Sequence, residues 1–364
     1  MTAHGGQDVA TTRDQGSARQ PLVSIVTPVH NGAEYLPECI ESVLAQTYSR
    51  WDYTIVDNQS TDESLAIAYK YAARDSRIRV CANSQLLPAI ANHNRALRQV
   101  SETSEYCKVV FADDWIFPEC LEQMVAVAEE YPSVGLVGAY CLEGQHVICT
   151  GLPYSGRCFD GREIGRRHLL ESLYLFGSAN SVLYRSSLLR RDHAFFNEGN
   201  IHADTEACFE LLQRSDFGFV HQVLTFTRVR PRSLTAMSTN LHTDFGGMLR
   251  ILQAQGSHYL TSQELDAYLR RHIDGYYRFL GKSLLRGRDR AFWDYHRKQL
   301  EDAGLGFSRV RVLSGMLATV LGVALPWRDP MARFTKTKTR STSPLDRVPD
   351  DSEPVAVQSS KRAG

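Results

Sequence analysis

Short apolar β-rich runs alternate with helical patterns throughout residues 21–140. The first run covers residues 22–27, and the stretch after it has apolar residues at helical spacing. Three further runs of this kind follow at residues 53–56, 78–81 and 106–111. Strands separated by helices form parallel sheets that are covered on both faces. The alternation therefore predicts the α/β class, with a three-layer domain and a mostly parallel sheet.

The pattern changes beyond Tyr140, where Gly and Pro interrupt the chain. Helices are predicted near residues 163–173 and 204–214, and strands near 181–184 and 217–228. After Leu241 the chain reads as mostly helical. We expect an α/β domain at 21–240, with a first half at 21–140 and a second half at 141–240, followed by a helical region at 241–328. The segments at 1–20 and 329–364 are expected to be disordered.

Charge and cysteine content exclude several classes of protein. Lys plus Arg equals Asp plus Glu at 41 each, so no nucleic-acid partner is expected. The eight cysteines form no Cys-x-x-Cys pair, which favours reduced thiols.

Residues 1–20 lack the apolar core of a secretory signal, and the 16 uncharged residues at 312–327 are fewer than a spanning helix needs. We expect a cytoplasmic protein.

Acidic residues follow the ends of the predicted strands. Asp57 comes after the second run, Asp113 and Asp114 come after the fourth, and Asp204 opens a later helix. In an open parallel sheet the strand ends border the ligand crevice, so these side chains are expected to meet there. Carboxylates that are close together raise one another's pKa unless a cation lies among them. The pattern predicts a divalent metal beside a phosphorylated ligand.

Missing motifs narrow the choice of function. No Gly-x-Gly-x-x-Gly follows the first strand and no Gly-x-x-x-x-Gly-Lys-Ser/Thr is present, which disfavours dinucleotide oxidoreductases and P-loop proteins. The Gln-x-x-Arg-Trp motif of processive polysaccharide synthases is also missing. We therefore do not expect a processive polysaccharide synthase.

Three segments closely resemble the family 2 glycosyltransferases in order and spacing. They are Val23-Ser-Ile-Val-Thr-Pro-Val-His-Asn-Gly32, Ile55-Val-Asp-Asn-Gln-Ser-Thr-Asp-Glu63 and Val110-Phe-Ala-Asp-Asp-Trp115. The resemblance covers about residues 21–232 and implies the GT-A fold. It also implies a nucleotide-diphospho-sugar donor.

By this resemblance, Thr27, Pro28 and His30 line the base and ribose pocket, and Asp57 binds the base. A carboxylate suits uracil because uracil offers an imide N–H donor. Read without the resemblance, Asp57 is a turn residue held by neighbouring backbone amides.

Asp113 and Asp114 match the metal motif of the family, with Asp114 as the direct ligand of Mn²⁺ or Mg²⁺. Asp113 is then a second ligand or a ribose contact. The family often has a further Asp two positions before this pair, where this chain has Phe111. The alternative is a charge pair at a helix N-terminus before Pro118, which is expected in the first helical turn.

Asp204, in His202-Ala-Asp-Thr-Glu206, matches the position of the family's catalytic base. A base there takes the proton of the acceptor hydroxyl during attack, which predicts a single displacement with inversion. The alternative is that Asp204 caps its helix. His202 is read as an acceptor contact or a solvated residue rather than a zinc ligand.

Two further groups are expected near the diphosphate. Asn94 lies in a segment where the family often has Arg followed by Asn, and His93 takes the Arg position here. Arg230, with Arg228 and Arg232, follows a predicted strand and is expected to neutralise the leaving diphosphate. The alternatives are a helix surface for Asn94 and a solvated basic edge for the arginines.

The resemblance implies a metal-dependent, inverting transfer of a sugar, most simply from a UDP-sugar, to a saccharide or lipid-linked saccharide. A non-catalytic sugar-nucleotide-binding or scaffold protein is the alternative that Phe111 and His93 suggest. Residues 312–327 either touch a membrane surface or pack on the domain. Their apolar helical face and flanking arginines allow both.

Overall fold

The computed structural model describes residues 20–171, 173–190, 194–231 and 234–321. Within these ranges a mixed sheet of ten strands forms the centre of the fold. The strands are β1 (Val23–Val29), β2 (Trp51–Asp57), β3 (Ile78–Ala82), β4 (Tyr106–Val109), β5 (Trp115–Ile116), β6 (Val134–Glu143), β7 (His146–Ile148), β8 (Cys158–Phe159), β9 (Val182–Arg185) and β10 (Asp216–Thr227).

Helices cover the sheet and continue beyond it. They are α1 (Leu36–Leu44), α2 (Ser64–Ala72), α3 (Ala89–Leu97), α4 (Cys120–Glu130), α5 (Gly161–Glu171), α6 (Ala203–Leu212), α7 (Leu234–Leu241), α8 (Asp244–Tyr259), α9 (Ser262–Leu284), α10 (Arg290–Asp302) and α11 (Arg309–Val320). No helix among the described residues is long and apolar enough to cross a membrane.

The strand order is β3-β2-β1-β4-β9-β6-β10-β5. Strands β3, β2, β1 and β4 run parallel, β9 is antiparallel to both β4 and β6, and β10 is parallel to β6. β5 pairs antiparallel with β10 and aligns Trp115 with Phe226. The carboxyl ends of β1, β2 and β4 and the end of β10 therefore lie along one edge of the sheet.

Apolar side chains fill both faces of the sheet, which confirms the three-layer α/β prediction. Ile25 and Ile55 belong to the cluster under α1, α2 and α4. Phe209 and Phe217 belong to the cluster on the opposite face, where α5, α6 and α8 pack. A third cluster, which includes Tyr276, holds the C-terminal helices together.

A buried lysine joins β4 to the antiparallel strand beside it. Lys108 has no exposed surface, and its ammonium donates to the carbonyl oxygens of Asn180 and Val182, the latter at 3.2 Å. Burial lowers the pKa of Lys108. The contacts fix the segment that leads into β9, next to the strand that precedes the acidic pair.

Element boundaries differ modestly from those predicted. β1 continues to Val29 rather than ending at 27, and β4 ends at Val109 rather than at 111. The chain turns after β4, since the amide of Asp114 donates to the carbonyl of Phe111 at 2.9 Å. Pro118 precedes α4 rather than lying in its first turn, and its carbonyl accepts from the amide of Thr47 at 2.9 Å.

The predicted helical region is present and begins at Leu234 rather than after 241. The N-terminus of α9 carries a capping box in which Thr261 and Glu264 each accept from the other's backbone. The predicted disorder at 1–19 and 329–364, and the last residues of the helical region, lie outside the described residues, as does Arg232.

Two glycines let α11 lie against α9. A Cβ atom on Gly315 would be 2.5 Å from the carbonyl oxygen of Tyr277, and one on Gly281 would be 2.3 Å from the backbone nitrogen of Met316. Only glycine permits backbones to approach this closely. The crossing therefore fixes which face of α11 is buried.

Gly315→Ala is expected to destabilise the protein by about 1–3 kcal/mol, because the added methyl group forces α11 away from α9. Thermal unfolding would measure the loss. Ser314→Ala, one residue earlier on an exposed side of the helix, is the matched control and is expected to be nearly neutral. Equal stability of the two variants would contradict the close crossing.

Candidate active site

The loops after β1 and β2 are tied to each other. The amide of Asn31 donates to the Ser60 hydroxyl at 3.0 Å, and the amide of Thr61 donates to Asn31 Oδ1 at 2.7 Å. Asn31 has a φ of 51°, a conformation that asparagine tolerates better than most residues. These reciprocal bonds fix one wall of the crevice at the strand ends.

Asp57 is the last residue of β2 and is 2% exposed. Its Oδ2 accepts from the amide of Ser60 at 3.1 Å, so the expected turn bond is present. Its other oxygen, Oδ1, is buried and has no hydrogen-bond partner among the described residues. A buried acceptor without a partner is costly unless a ligand supplies the donor.

All residues of β1 are buried, and the first exposed residue, His30, follows the strand. Pro28 is buried opposite Val56, while His30 is exposed and its Nδ1 lies 2.8 Å from the carbonyl of Asn58. Thr27 is fully buried, and its hydroxyl bonds to the carbonyl of Val110 at 2.6 Å and to Tyr53 at 2.8 Å. The prediction that Thr27 lines the pocket is therefore corrected, because its side chain belongs to the core.

Asp114 is 3% exposed and is held by the end of β10. Its Oδ1 accepts from the amide of Arg228 at 2.9 Å, and its Oδ2 lies 3.4 Å from the hydroxyl of Thr227. Burial raises the pKa of Asp114 well above its usual 3.8, and the charge of Asp113 raises it further, against the lowering effect of these bonds and of Arg230. The site therefore favours either a proton or a cation on this carboxyl group.

Two arginines face the acidic pair. Arg230 forms an ion pair with Asp113, and the guanidinium of Arg228 donates to the backbone carbonyl of Asp113 at 3.0 Å and to the carboxylate of Glu38. Both guanidinium groups lie over the ring of Tyr35, at 4.5 Å for Arg228 and 5.4 Å for Arg230. Sequence reasoning missed Tyr35 and Glu38, because neither belongs to a motif.

The side chain of Asn94 clamps the backbone of Phe196. Its amide nitrogen donates to the carbonyl of Phe196 at 2.8 Å and to the carboxylate of Glu198 at 3.1 Å, and its oxygen accepts from the amide of Phe196 at 2.8 Å. The side chain is 3% exposed and its hydrogen-bonding groups are engaged. The predicted phosphate contact of Asn94 stays a prediction, and these hydrogen bonds favour a structural role for the side chain.

The two departures from the family pattern touch each other. The ring centres of His93 and Phe111 lie 4.9 Å apart, and Phe196 approaches His93 at 6.4 Å. Burial lowers the pKa of His93 to about 4, so its ring is neutral near pH 7. An aromatic contact therefore stands where the family often has an arginine and an aspartate.

Asp204 is the second residue of α6 and is half-buried. Its Oδ1 accepts from the amide of Thr205 at 2.7 Å, and no side chain caps the helix from His202. Burial raises the pKa of Asp204 above 3.8. His202 is not solvated, since its Nε2 lies 2.8 Å from the hydroxyl of Thr243 before α8.

Asp204 and Asp114 come from different elements, α6 and the loop after β4. Burial raises the pKa of Tyr174, and the charge of Asp204 adds to that rise. Burial likewise raises the pKa of Cys141, and the charge of Asp114 adds to that rise.

Two adjacent carboxylates are the candidate metal ligands of this site. Across the described ranges, no group of three or more His, Cys, Asp or Glu side chains is arranged to hold an ion. Asp113 and Asp114 are adjacent carboxylates, and the pKa of Asp114 is raised by burial. They fit a cation that takes its other ligands from a phosphorylated substrate and water, as Mg²⁺ commonly does.

Comparison with known proteins identifies the class. The model of "Glycosyl transferase family 2" matches residues 24–188. The putative glycosyltransferase EpsE of Bacillus subtilis is 36% identical over 119 residues, which are 32% of this chain and 42% of EpsE. The uncharacterized glycosyltransferase EpsJ of the same species is 28% identical over 274 residues, which are 69% of this chain and 76% of EpsJ.

Solved structures agree on the fold. TarS 1–349 of S. aureus, crystallised with UDP-GlcNAc, has a TM-score of 0.57 at 18% identity and covers 79% of this chain and 85% of TarS 1–349. The mannosyltransferase PcManGT of Pyrobaculum calidifontis, in complex with GDP-Man and Mn²⁺, has a TM-score of 0.51 at 16% identity. The match covers 88% of this chain and 85% of PcManGT. Residues 24–188 therefore match glycosyl transferase family 2, and the chain has the GT-A fold.

Asn94→Ala is expected to cost about 1–3 kcal/mol of stability, because the amide and carbonyl of Phe196 lose their partner. Thermal unfolding measured with and without a nucleotide sugar would distinguish a structural role of Asn94 from a direct contact with the donor. Arg95→Ala, at the exposed neighbouring position, is the control. A variant that unfolds like the wild type but binds donor poorly would show that Asn94 is a donor contact instead.

Proposed function

We propose that the chain is a metal-dependent, inverting and non-processive glycosyltransferase that moves a sugar from a nucleotide diphosphate to a hydroxyl acceptor. The observation that supports this best is the buried carboxyl group of Asp114, which lies beside Asp113 with two arginines opposite. Buried carboxyl groups with a raised pKa are common at functional sites, and a bound cation would supply the positive charge that the Asp114 carboxyl group lacks. TarS and PcManGT, which have a similar fold, are in complex with the sugar nucleotides UDP-GlcNAc and GDP-Man, respectively.

The nucleotide base would be held at the ends of β1 and β2. Asp57 Oδ1 supplies a buried acceptor for a base N–H. On the neighbouring strand Val29 pairs with Asp57, and Pro28 and His30 flank Val29 in the chain. Uracil presents an imide N–H that suits this oxygen, which favours a UDP-sugar donor. In this account residues 21–140 bind the donor and 141–240 form the acceptor side.

The diphosphate would lie between the acidic pair and the arginines. Asp114, with Asp113 beside it, would hold Mn²⁺ or Mg²⁺, which offsets the negative charge of the leaving diphosphate. Arg230 already pairs with the Asp113 carboxylate, and Arg228 donates to the backbone carbonyl of Asp113. Their guanidinium groups can also pair with phosphate oxygens. The cation and the arginines would together offset the negative charge that builds up on the leaving diphosphate.

Asp204 would act as the base. The acceptor oxygen forms a bond to the anomeric carbon as the bond from that carbon to the diphosphate breaks, and the hydroxyl proton passes to the Asp204 carboxylate. Attack from the face opposite the leaving group inverts the anomeric centre. A half-buried carboxylate with a raised pKa suits this task better than an ordinary surface aspartate.

The acceptor is proposed to be a saccharide or a lipid-linked saccharide in glycan or polysaccharide assembly. Similar proteins include the putative teichuronic acid biosynthesis glycosyltransferase TuaG of Bacillus subtilis and the O-antigen biosynthesis protein RfbC of Myxococcus xanthus. The cytoplasmic location stays a prediction.

A non-catalytic sugar-nucleotide-binding protein is the second candidate. The contact between His93 and Phe111 favours it, because these residues replace a charged pair that the family often has. The two candidates differ in turnover, since a pure binder releases no nucleotide whatever metal is present.

Asp204→Asn is expected to keep donor binding and to lose at least about 100-fold in transfer rate, because amide nitrogen cannot accept the proton. Donor binding by calorimetry and transfer by nucleotide release would be measured together. Glu210→Gln on the same helix is the matched control. Transfer at the wild-type rate in Asp204→Asn would remove this residue from the base role.

The transfer rate of the wild type should fall as the pH falls through the raised pKa of Asp204, since only the ionised form accepts a proton. The acid limb of the pH–rate profile is therefore expected above the usual value for aspartate, about 3.9. A rate that stays constant down to about pH 4 would contradict an Asp204 base with a raised pKa.

Asp114→Asn is expected to raise the melting temperature of the metal-free protein near pH 7. A carboxyl group whose folded pKa is raised loses stability as the pH rises above its unfolded pKa, and the amide removes that loss. The same variant should bind the donor at least tenfold more weakly in Mn²⁺, about 1.4 kcal/mol.

Glu63→Gln, an exposed acid in the same half of the domain, is the control for both measurements. Calorimetry with Mn²⁺ and the nucleotide sugar, without any acceptor, reads binding independently of turnover. Undiminished Mn²⁺-dependent binding in Asp114→Asn would place the metal elsewhere.

A further inference from the structure

Helix α11 carries a stripe of exposed apolar side chains. Its members are Val310, Leu313, Leu317, Val320 and Leu321, which immediately follows the helix, and they are 50–73% exposed. Their spacing places them within about 100° of one another around the helix axis, at 100° per residue. We call this set the α11 stripe.

The α11 stripe is not the face that packs on the protein. Val312 and Gly315 are the buried residues of α11, and Gly315 lies against the backbone of α9 at Tyr277. These two positions lie on the side of the helix opposite to the stripe. Packing on the domain therefore accounts for the inner face alone and leaves the outer apolar face without a partner among the described residues.

Basic side chains surround this end of the chain. Residues 270–321 hold eleven Lys and Arg against five Asp and Glu, although the whole chain is neutral. Lys282, Arg286 and Arg309 are exposed, and none of them forms an ion pair with a described carboxylate. Leu284 and Leu285, beside the first two, are also exposed, at 40% and 56%.

The orientation of the helices places these groups together. Arg311 pairs with Asp274 at 2.8 Å, and Gly315 contacts Tyr277 and Arg278, so α9 and α11 run parallel. The C-terminal end of α9, with Lys282 to Arg286, therefore lies at the same end of the pair as Val320 and Leu321. The exposed Lys282 and Arg286 therefore lie at the same end of the helix pair as the C-terminal part of the α11 stripe, and Arg309 lies at the start of α11.

We propose that the α11 stripe and its basic surroundings bind an anionic lipid surface, with α11 lying in the plane of the interface. Apolar side chains would enter the boundary between headgroups and acyl chains, and Lys282, Arg286 and Arg309 would contact the lipid phosphates. A second copy of the chain suits this surface less well, because it would bring two net positive surfaces together.

The test is flotation of the full-length protein with two kinds of vesicle. One kind is phosphatidylcholine alone, and the other is phosphatidylcholine mixed with phosphatidylglycerol. The protein is expected to float with the anionic vesicles, to float less as salt rises, and to remain largely unbound with the neutral ones.

Paired variants separate the apolar and the electrostatic contributions. Leu313→Asp with Leu317→Asp is expected to lower the bound fraction roughly tenfold or more. Lys282→Glu with Arg286→Glu should reduce binding to the anionic vesicles. Leu86→Asp with Val147→Asp, at exposed apolar positions elsewhere, is the matched control and should float like the wild type. Unchanged thermal unfolding would show that the variants are folded.

The proposal is overturned if the wild type floats with neither vesicle, or if Leu313→Asp with Leu317→Asp floats as well as the control. A concentration-dependent dimer that this double variant abolishes, without flotation of the wild type, would assign the stripe to a second copy. None of these results depends on the proposed enzymatic activity, because no donor or acceptor is present.

Discussion

The structure depends on a carboxyl group that the fold removes from water. Asp114 is buried beside a second carboxylate, and removing charge from water in this way is unfavourable unless opposite charge or hydrogen bonds compensate for it. The chain supplies one backbone amide, from Arg228, and the weaker contact of a hydroxyl group. That partial compensation leaves a site that a cation would complete, and the proposed chemistry follows from it.

Strand topology brings the compensating groups to this place. β5 pairs with the end of β10, which puts Thr227 and Arg228 against Asp114, and Arg230 reaches Asp113. The arginines lie over Tyr35 at the start of α1, so elements from both halves of the domain meet at the acidic pair. On β2, Asp57 keeps one oxygen without a partner. The proposed donor site thus lies at strand ends and the proposed base lies at the start of α6, while the proposed lipid-binding surface belongs to the C-terminal helices.

The alternation of strands and helices predicted the layers. Strand-end positions singled out Asp57 and Asp114, and the structure adds that both are buried. Residue type alone did not predict the direction of a side chain, so Thr27 was expected in a pocket but bonds to Tyr53 in the core. Asn94 was read as a ligand because a motif contains it, whereas its amide holds the backbone of Phe196. Such contacts depend on tertiary structure and have no local signal.

Nucleotide release from a panel of UDP-, GDP- and dTDP-sugars, with and without Mn²⁺ and with simple saccharide acceptors, tests the central claim most directly. The account predicts metal-dependent release from one class of donor, most strongly from a UDP-sugar. If calorimetry shows that a donor binds but neither metal nor acceptor produces release, the chain is a sugar-nucleotide-binding protein and the catalytic account is wrong.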